Sequence, residues 1–118
     1  MPKSVTLVTG ASRGIGLAIA EDQARRGNTV IGLARTRPDG FPGTFHAVDF
    51  ADAGATREVL AEVTGRHQVL RLVNNAGIAI PTALDGRATE ALDAMIGVNV
   101  RALVQCMEAV VPAMRAAK

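Results

Sequence analysis

Tyrosine and tryptophan are absent from this 118-residue sequence, and its only lysines are Lys3 and Lys118. With aromatic content at 3%, the chain has too few rings for the stacking platforms that bind single-stranded nucleic acid. The net charge is only +2, and most basic residues are interleaved with acids, so no concentrated basic face exists for a nucleic-acid backbone. One cysteine, Cys106, excludes an internal disulfide and a zinc site built on cysteines, and no metal site is expected. The N-terminal MPKSVTLVTG has too short an apolar run for a signal peptide. The most apolar long segment, residues 98–114, is interrupted by Asn99, Arg101, Gln105 and Glu108, which argues against a membrane span. A cytoplasmic protein without membrane or nucleic-acid partners is the expectation, with Cys106 a buried thiol.

What is present is the composition of one globular domain: 48% hydrophobic and 20% charged residues, in a length too short for two domains. Short apolar runs alternate with helical periods. Residues 4–9, 29–34 (TVIGLA), 44–48 and 68–73 (QVLRLV) read as strands, each a nearly continuous apolar run. Helices are expected over 14–26, closed by Gly27, and over 53–65, capped by Asp52 with Val59, Leu60 and Val63 facing inward. From residue 88 onward the pattern is helical, with a break or kink near 97–99. There Ile96, Val100, Leu103, Met107, Val110 and Met114 form a stripe facing the core or another subunit. This alternation predicts an α/β, doubly wound (Rossmann-type) parallel sheet in strand order 3-2-1-4, with ligands bound across the carboxyl ends of the strands.

The first strand runs into TGASRGIG, where Gly10, Gly14 and Gly16 have the spacing G-x-x-x-G-x-G. Gly10 permits a tight turn, Gly14 lets backbone approach a pyrophosphate, and Gly16 lets the helix pack closely. The helix N-terminus offers unpaired N–H groups and the positive end of its dipole to phosphate. No lysine-serine or lysine-threonine pair follows the glycines, which disfavours a P-loop ATPase.

Together with NNAG, Asn74 to Gly77, and GVNVRAL, Gly97 to Leu103, this stretch resembles the classical branch of the short-chain dehydrogenase/reductase family. The resemblance runs from about Val5 to the last residue. It implies hydride transfer between a nicotinamide dinucleotide and a carbonyl or secondary alcohol, with the phosphates held by Gly10, Ser12, Arg13, Gly14, Ile15 and Gly16. It places Asp49 and Phe50 at the adenine, although Asp49 also suits a capping role for the next helix. Asn75, Ala76 and Gly77 fall along the nicotinamide-side ribose, and Asn74 and Asn75 can also brace the sheet. Asn99 matches the family's catalytic asparagine, which extends a proton relay from a helix kink. Residues 78–84 are the candidate substrate contact and carry no readable chemical preference.

Cofactor choice turns on the end of the second strand. An acid there accepts from the ribose hydroxyls of NAD; a cation accommodates the 2′-phosphate of NADP. Here the acidic position falls on Ala34, followed by Arg35, with Arg37 nearby and Arg13 in the glycine turn. A guanidinium suits phosphate because its planar fork donates two bonds at once. NADP(H) is expected over NAD(H), although Arg35 and Arg37 would also serve as loop solubilisers. Asp39, in Pro38-Asp39-Gly40, reads as a turn residue.

The resemblance also implies a serine, a tyrosine and a lysine that handle the substrate's oxygen and its proton, because hydride delivery generates an alkoxide. Serine occurs only at Ser4 and Ser12, no Tyr-x-x-x-Lys exists, and His46 and His67 read as partly exposed surface residues. In the family these groups come after Asn99, so the sequence reads as the N-terminal half of a larger enzyme. The alternatives are a catalytically inactive nucleotide-binding module, or a half-domain that needs a partner chain. An uncovered strand at 68–73 and an uncovered stripe from Ile96 to Met114 would then favour self-association.

Overall fold

The computed structural model describes residues 4–82 and 86–117. Four strands, β1 (Val5–Thr9), β2 (Thr29–Ala34), β3 (Thr44–Ala47) and β4 (Val69–Val73), form one parallel sheet in the order β3-β2-β1-β4. Helix α1 (Gly14–Arg25) joins β1 to β2, and α2 (Ala53–Arg66) joins β3 to β4. After β4 the chain forms α3 (Ala88–Ile96), a π-helical turn (Gly97–Arg101) and α4 (Ala102–Ala117). The expected class and strand order hold, with element ends within one residue of those read from the sequence.

Successive strand residues point to opposite faces, so the two central strands feed two cores. Leu7, Ile31 and Leu33 face Val59, Leu60 and Val63 of α2 and Val98, Ala102, Cys106 and Val110 of the last helix. Val8 and Val30 face Ala20 of α1 and Phe41 of the β2–β3 loop. This coverage of both faces is why the strands read as continuous apolar runs rather than as alternating ones. On the α1 face, Thr6 Oγ1 donates to Gln23 Oε1 at 3.0 Å, so a fully buried hydroxyl is satisfied by the helix above it.

Helix starts are built differently at the two ends of the sheet. Asp52 caps α2, its carboxylate accepting from the Ala55 amide at 3.0 Å. Such a cap contributes about 1 kcal/mol. At α1 the N-cap position is Arg13, whose side chain makes no capping bond. The first amides of α1 therefore have no side-chain acceptor, and they lie at the carboxyl edge of the sheet.

The stripe over Ile96 to Met114, expected to face the core or another subunit, divides between the core and the surface. Val110 is buried and Leu103 and Met114 are half-buried, whereas Ile96, Val100 and Met107 are exposed. The buried face is instead Val98, Ala102, Cys106 and Val110. A π turn interrupts the pattern, where Ala102 N–H bonds back five residues to the Gly97 carbonyl. That widened turn shifts the helical phase, which a uniform 3.6-residue period does not capture. The exposed side of the same helix carries Leu92, Ile96, Val100, Val104 and Met107.

By length and composition, the helical stretch Ala88–Ala117 is apolar enough to cross a membrane; its α4 part packs here on β4 and α2. Burial pushes the Cys106 thiol up to about 11, so it is protonated and unreactive near neutral pH, as a core residue should be.

Strand β4 lies at the edge of the sheet and is short. Val5 pairs with Val69 but Thr6 with Arg71, which leaves Leu70 as an extra residue in a bulge. A bulge and an exposed arginine both blunt a strand edge.

Gly32, in the middle of β2, was not singled out by pattern. A β-carbon there would lie 2.5 Å from Phe41 Cζ and 3.0 Å from Phe45 Cδ2. These two rings pack edge to face at 5.1 Å over the strand, anchoring the β2–β3 loop. Gly32→Ala should therefore overpack this core and cost about 1–3 kcal/mol. Gly65 in α2 has open space and ordinary helical backbone, so Gly65→Ala should stabilise by roughly 0.5–1 kcal/mol. Urea denaturation of both variants checks the pair; equal signs would contradict the packing assigned to Gly32.

Candidate functional site

The carboxyl ends of β1, β2 and β4 open into a cleft of about 750 Å³. Its lining includes Gly10, Ser12, Arg13, Gly14 and Ile15 from the first turn, and Ala34, Arg35, Thr36 and Pro38 after β2. Asp49 and Phe50 line it from the loop after β3, and Asn75, Ala76 and Gly77 after β4. Four separate stretches of the chain, from Gly10 to Gly77, thus converge on one concavity. It lies where the crossovers from β1 turn to opposite sides of the sheet, the usual ligand position in such folds.

The turn itself is shaped by close approach. Gly10 has φ +66°, and a β-carbon on it would stand 2.9 Å from the Ala76 Cα. A β-carbon on Gly16 would collide with the Gly10 carbonyl oxygen and reach Asn75 Nδ2 at 2.5 Å. Gly16 does not line the cleft; it lets α1 sit directly on the turn and on the segment after β4. Gly14 differs again, with φ +59° and open space around it. Its requirement is the left-handed backbone, and it leaves the backbone bare towards the cleft.

A residue outside the expected set holds these segments together. Thr9, nearly fully buried, accepts at Oγ1 from the Asn75 and Ala76 amides at 3.1 and 3.0 Å. Its hydroxyl also donates to the Val73 carbonyl at 3.4 Å. Asn75 Nδ2 donates to the Gly10 carbonyl at 3.2 Å. The end of β1 and the NNAG segment are therefore one hydrogen-bonded unit, and the bracing role open to Asn75 is realised. A buried threonine at the last position of an apolar strand was the available signal for Thr9.

Asp49 accepts at Oδ1 from the Ala51 amide at 2.9 Å, while Asp52 takes the cap of α2. The capping alternative for Asp49 is thus resolved in favour of a local turn, with the side chain exposed at the cleft. Phe50 is buried and presents one edge of the lining. Arg13 and Arg35 are exposed and line the same cleft, whereas Arg37 does not line it.

Asn99 lies within the π turn, where the sequence predicted a break. Its Oδ1 accepts from the Ile78 amide and its Nδ2 donates to the Ile78 carbonyl, both at 2.8 Å. A carboxamide carries a donor and an acceptor side by side, and so satisfies both backbone groups of one residue. Asn99 thereby fixes the segment directly after Gly77, whose Cα side it approaches closely. Of the substrate-contact segment, Ile78 is in the lining, and residues 83 and 84 lie outside the described residues, as do Lys3 and Lys118. Among the described residues no cluster of three or more His, Cys, Asp or Glu suits a metal ion.

This arrangement of glycine turn, bare helix start and Asn99 turn is matched over residues 4–118 by the family model described as short chain dehydrogenase. The chain belongs to the short-chain dehydrogenase family. It is 33% identical over 128 residues to dehydrogenase/reductase SDR family member 11 of Bos taurus, covering 97% of this chain and 50% of that protein. It is 35% identical over 119 residues to the 3-oxoacyl-acyl-carrier-protein reductase FabG of Escherichia coli, covering 93% of this chain and 49% of that protein. A metagenomic short-chain oxidoreductase solved in complex with NADP superposes with a TM-score of 0.87 at 34% identity, covering 97% of this chain and 57% of that one. The chain spans about half the length of the curated relatives it matches.

The two inner glycines of this short-chain dehydrogenase turn should respond differently to the same substitution. Gly16→Ala meets backbone that cannot yield without separating α1 from the turn, and should cost more than about 3 kcal/mol or prevent folding. Gly14→Ala introduces only left-handed strain, about 1–2 kcal/mol. Chemical denaturation measures both; a Gly16→Ala variant as stable as Gly14→Ala would remove the close-packing role.

Proposed function

We propose that this chain binds NADP(H), and that it serves hydride transfer between the nicotinamide and a carbonyl or secondary-alcohol substrate in a protein of its relatives' length. The observation that carries the cofactor reading is the pairing of Arg13 and Arg35 on the lining of one cleft, with Ala34 rather than an acid at the end of β2. A guanidinium pair there offers the 2′-phosphate two planar donor forks, and no carboxylate of β2 accepts from the ribose hydroxyls of NAD. NAD(H) is the less favoured cofactor for that reason.

The residues present fit a dinucleotide. Gly10, Ser12, Arg13, Gly14 and Ile15 would hold the pyrophosphate against the uncapped start of α1, where the helix dipole and free amides favour an anion. Asp49 and the Phe50 backbone would hold the adenine, and Asn75, Ala76 and Gly77 the nicotinamide-side ribose. When bound, the nicotinamide supplies or accepts the hydride. The chain's own contribution to proton movement is Asn99, whose side chain is committed to Ile78 and whose helical turn is opened at that point. With no tyrosine and no Tyr-x-x-x-Lys in the sequence, the 118 residues alone are expected to bind cofactor without turnover.

Fluorescence titration should give tighter binding of NADPH than of NADH, and Arg35→Ala should weaken NADPH about tenfold or more while leaving NADH nearly unchanged. Equal affinity for the two cofactors in the unmutated chain would defeat the arginine argument. Turnover of NADPH with a panel of carbonyl compounds by the 118-residue chain would show that the protons are handled by other groups.

A second element of the reading concerns association. Leu92, Ile96, Val100, Val104 and Met107 expose 38–54% of their surface along one helix, and the free edge of β4 lies beside that helix. We infer self-association of the isolated chain through this face. Sedimentation should show dimers or larger species that Val100→Glu, at a solvent-facing position, returns to monomer; a monomer at high concentration before mutation would sink the idea.

A further inference from the structure

We propose that Arg101 is the positioning residue for the adenine end of the cleft, and that the π turn Gly97–Arg101 braces both ends of the site at once. The inference rests on the adenine reading of Asp49 given above. Arg101 Nη2 donates to the Ala51 carbonyl at 3.0 Å and to the Phe50 carbonyl at 3.3 Å. Its Nη1 donates to Gln105 Oε1 at 2.7 Å, and Gln105 Nε2 in turn donates to the Ala53 carbonyl at 3.1 Å. Three bonds from one helix face therefore hold the carbonyls of residues 50, 51 and 53, and the Arg101–Gln105 bond ties the two donors together.

That loop is the one that presents Asp49. The Ala51 amide donates to Asp49 Oδ1, so the peptide units around Ala51 are tied on one side to the carboxylate and on the other to the guanidinium. If the Arg101 fork is removed, the Phe50 and Ala51 carbonyls lose a charged donor and the Asp49 turn loses its backing. Lysine can replace one of these bonds but not the fork. Two residues earlier, Asn99 holds both backbone groups of Ile78 at the opposite end of the lining. The two side chains of this one turn thus reach separate loops, residue 78 on one side and residues 50 and 51 on the other. Gly97 accommodates this packing: a β-carbon there would stand 3.0 Å from Arg101 Nη2.

The test uses the full 118-residue chain with two half-cofactor probes, 2′,5′-ADP and reduced nicotinamide mononucleotide, in isothermal titration. Arg101→Ala should weaken 2′,5′-ADP roughly tenfold and leave the mononucleotide within about twofold. Arg101→Lys should recover part of the loss, an outcome that a purely space-filling role would not give. In parallel, amide hydrogen exchange at Ala51 should accelerate in Arg101→Ala and not in Arg71→Ala, a surface control on β4. Unchanged 2′,5′-ADP affinity, or equal weakening of both probes, overturns the proposal. If Arg101→Ala does not fold, Gln105→Ala removes the Ala53 tie and the Nη1 partner; it should weaken 2′,5′-ADP about threefold, and no change there overturns the proposal equally. Should the unmutated chain bind neither probe, the cofactor reading fails, and the Ala51 exchange rate alone decides whether Arg101 holds the loop.

Discussion

The contact between α1 and the turn that precedes it governs the geometry of the whole site. Gly16 lies so near the Gly10 carbonyl that no side chain fits between them, and Asn75 reaches the same carbonyl from the segment after β4. Three pieces of chain meet at one oxygen atom. Because the helix is seated there, its uncapped amides open into the cleft rather than against protein. Because Asn75 is seated there, NNAG runs along the same concavity, stitched to β1 by the Thr9 hydroxyl. The sheet supplies the platform, but the absence of a β-carbon at Gly16 decides where the helix begins.

The second organising feature is the π turn. An unbroken α-helix would place apolar residues of its two halves on one stripe and hold every backbone group in its own ladder. Widening the ladder by one residue at Gly97–Arg101 turns Val98, Ala102 and Cys106 to the core and sends Asn99 and Arg101 to two separate loops. Irregular turns of this kind cost some helix energy, and the hydrogen bonds to Ile78, Phe50 and Ala51 offset it. The cost is therefore borne where function is proposed, a common pattern when a local rule is broken.

Much of this was legible in the sequence, and the reasons are local. Strands covered on both faces give uninterrupted apolar runs, and the glycine spacing, the Asp52 cap and the break near Asn99 each follow from backbone conformation or a short-range hydrogen bond. The contacts that were not legible join residues far apart. Nothing near Gly32 announces that Phe41 will lie over it, and nothing in NVRAL shows that Arg101 will reach a loop 50 residues earlier. Periodicity assumes constant pitch, so the pattern could not show how the π turn sets the phase of the residues on either side of it. The glycine turn implies a dinucleotide by its spacing; which neighbours surround it depends on the sheet order.

A π turn is also, in genetic terms, the footprint of one inserted codon within a helix. Deleting any one residue between Gly97 and Arg101 would let the ladder close into regular α-helix and rotate everything beyond it by about 100°. The change would turn part of the core-facing side of a 16-residue helix away from the sheet without altering the helix's composition. Insertions and deletions here should accordingly be far less tolerated than substitutions, while the loops on either side of the sheet absorb both. The length of this segment, more than the identity of its apolar residues, is what the fold holds fixed.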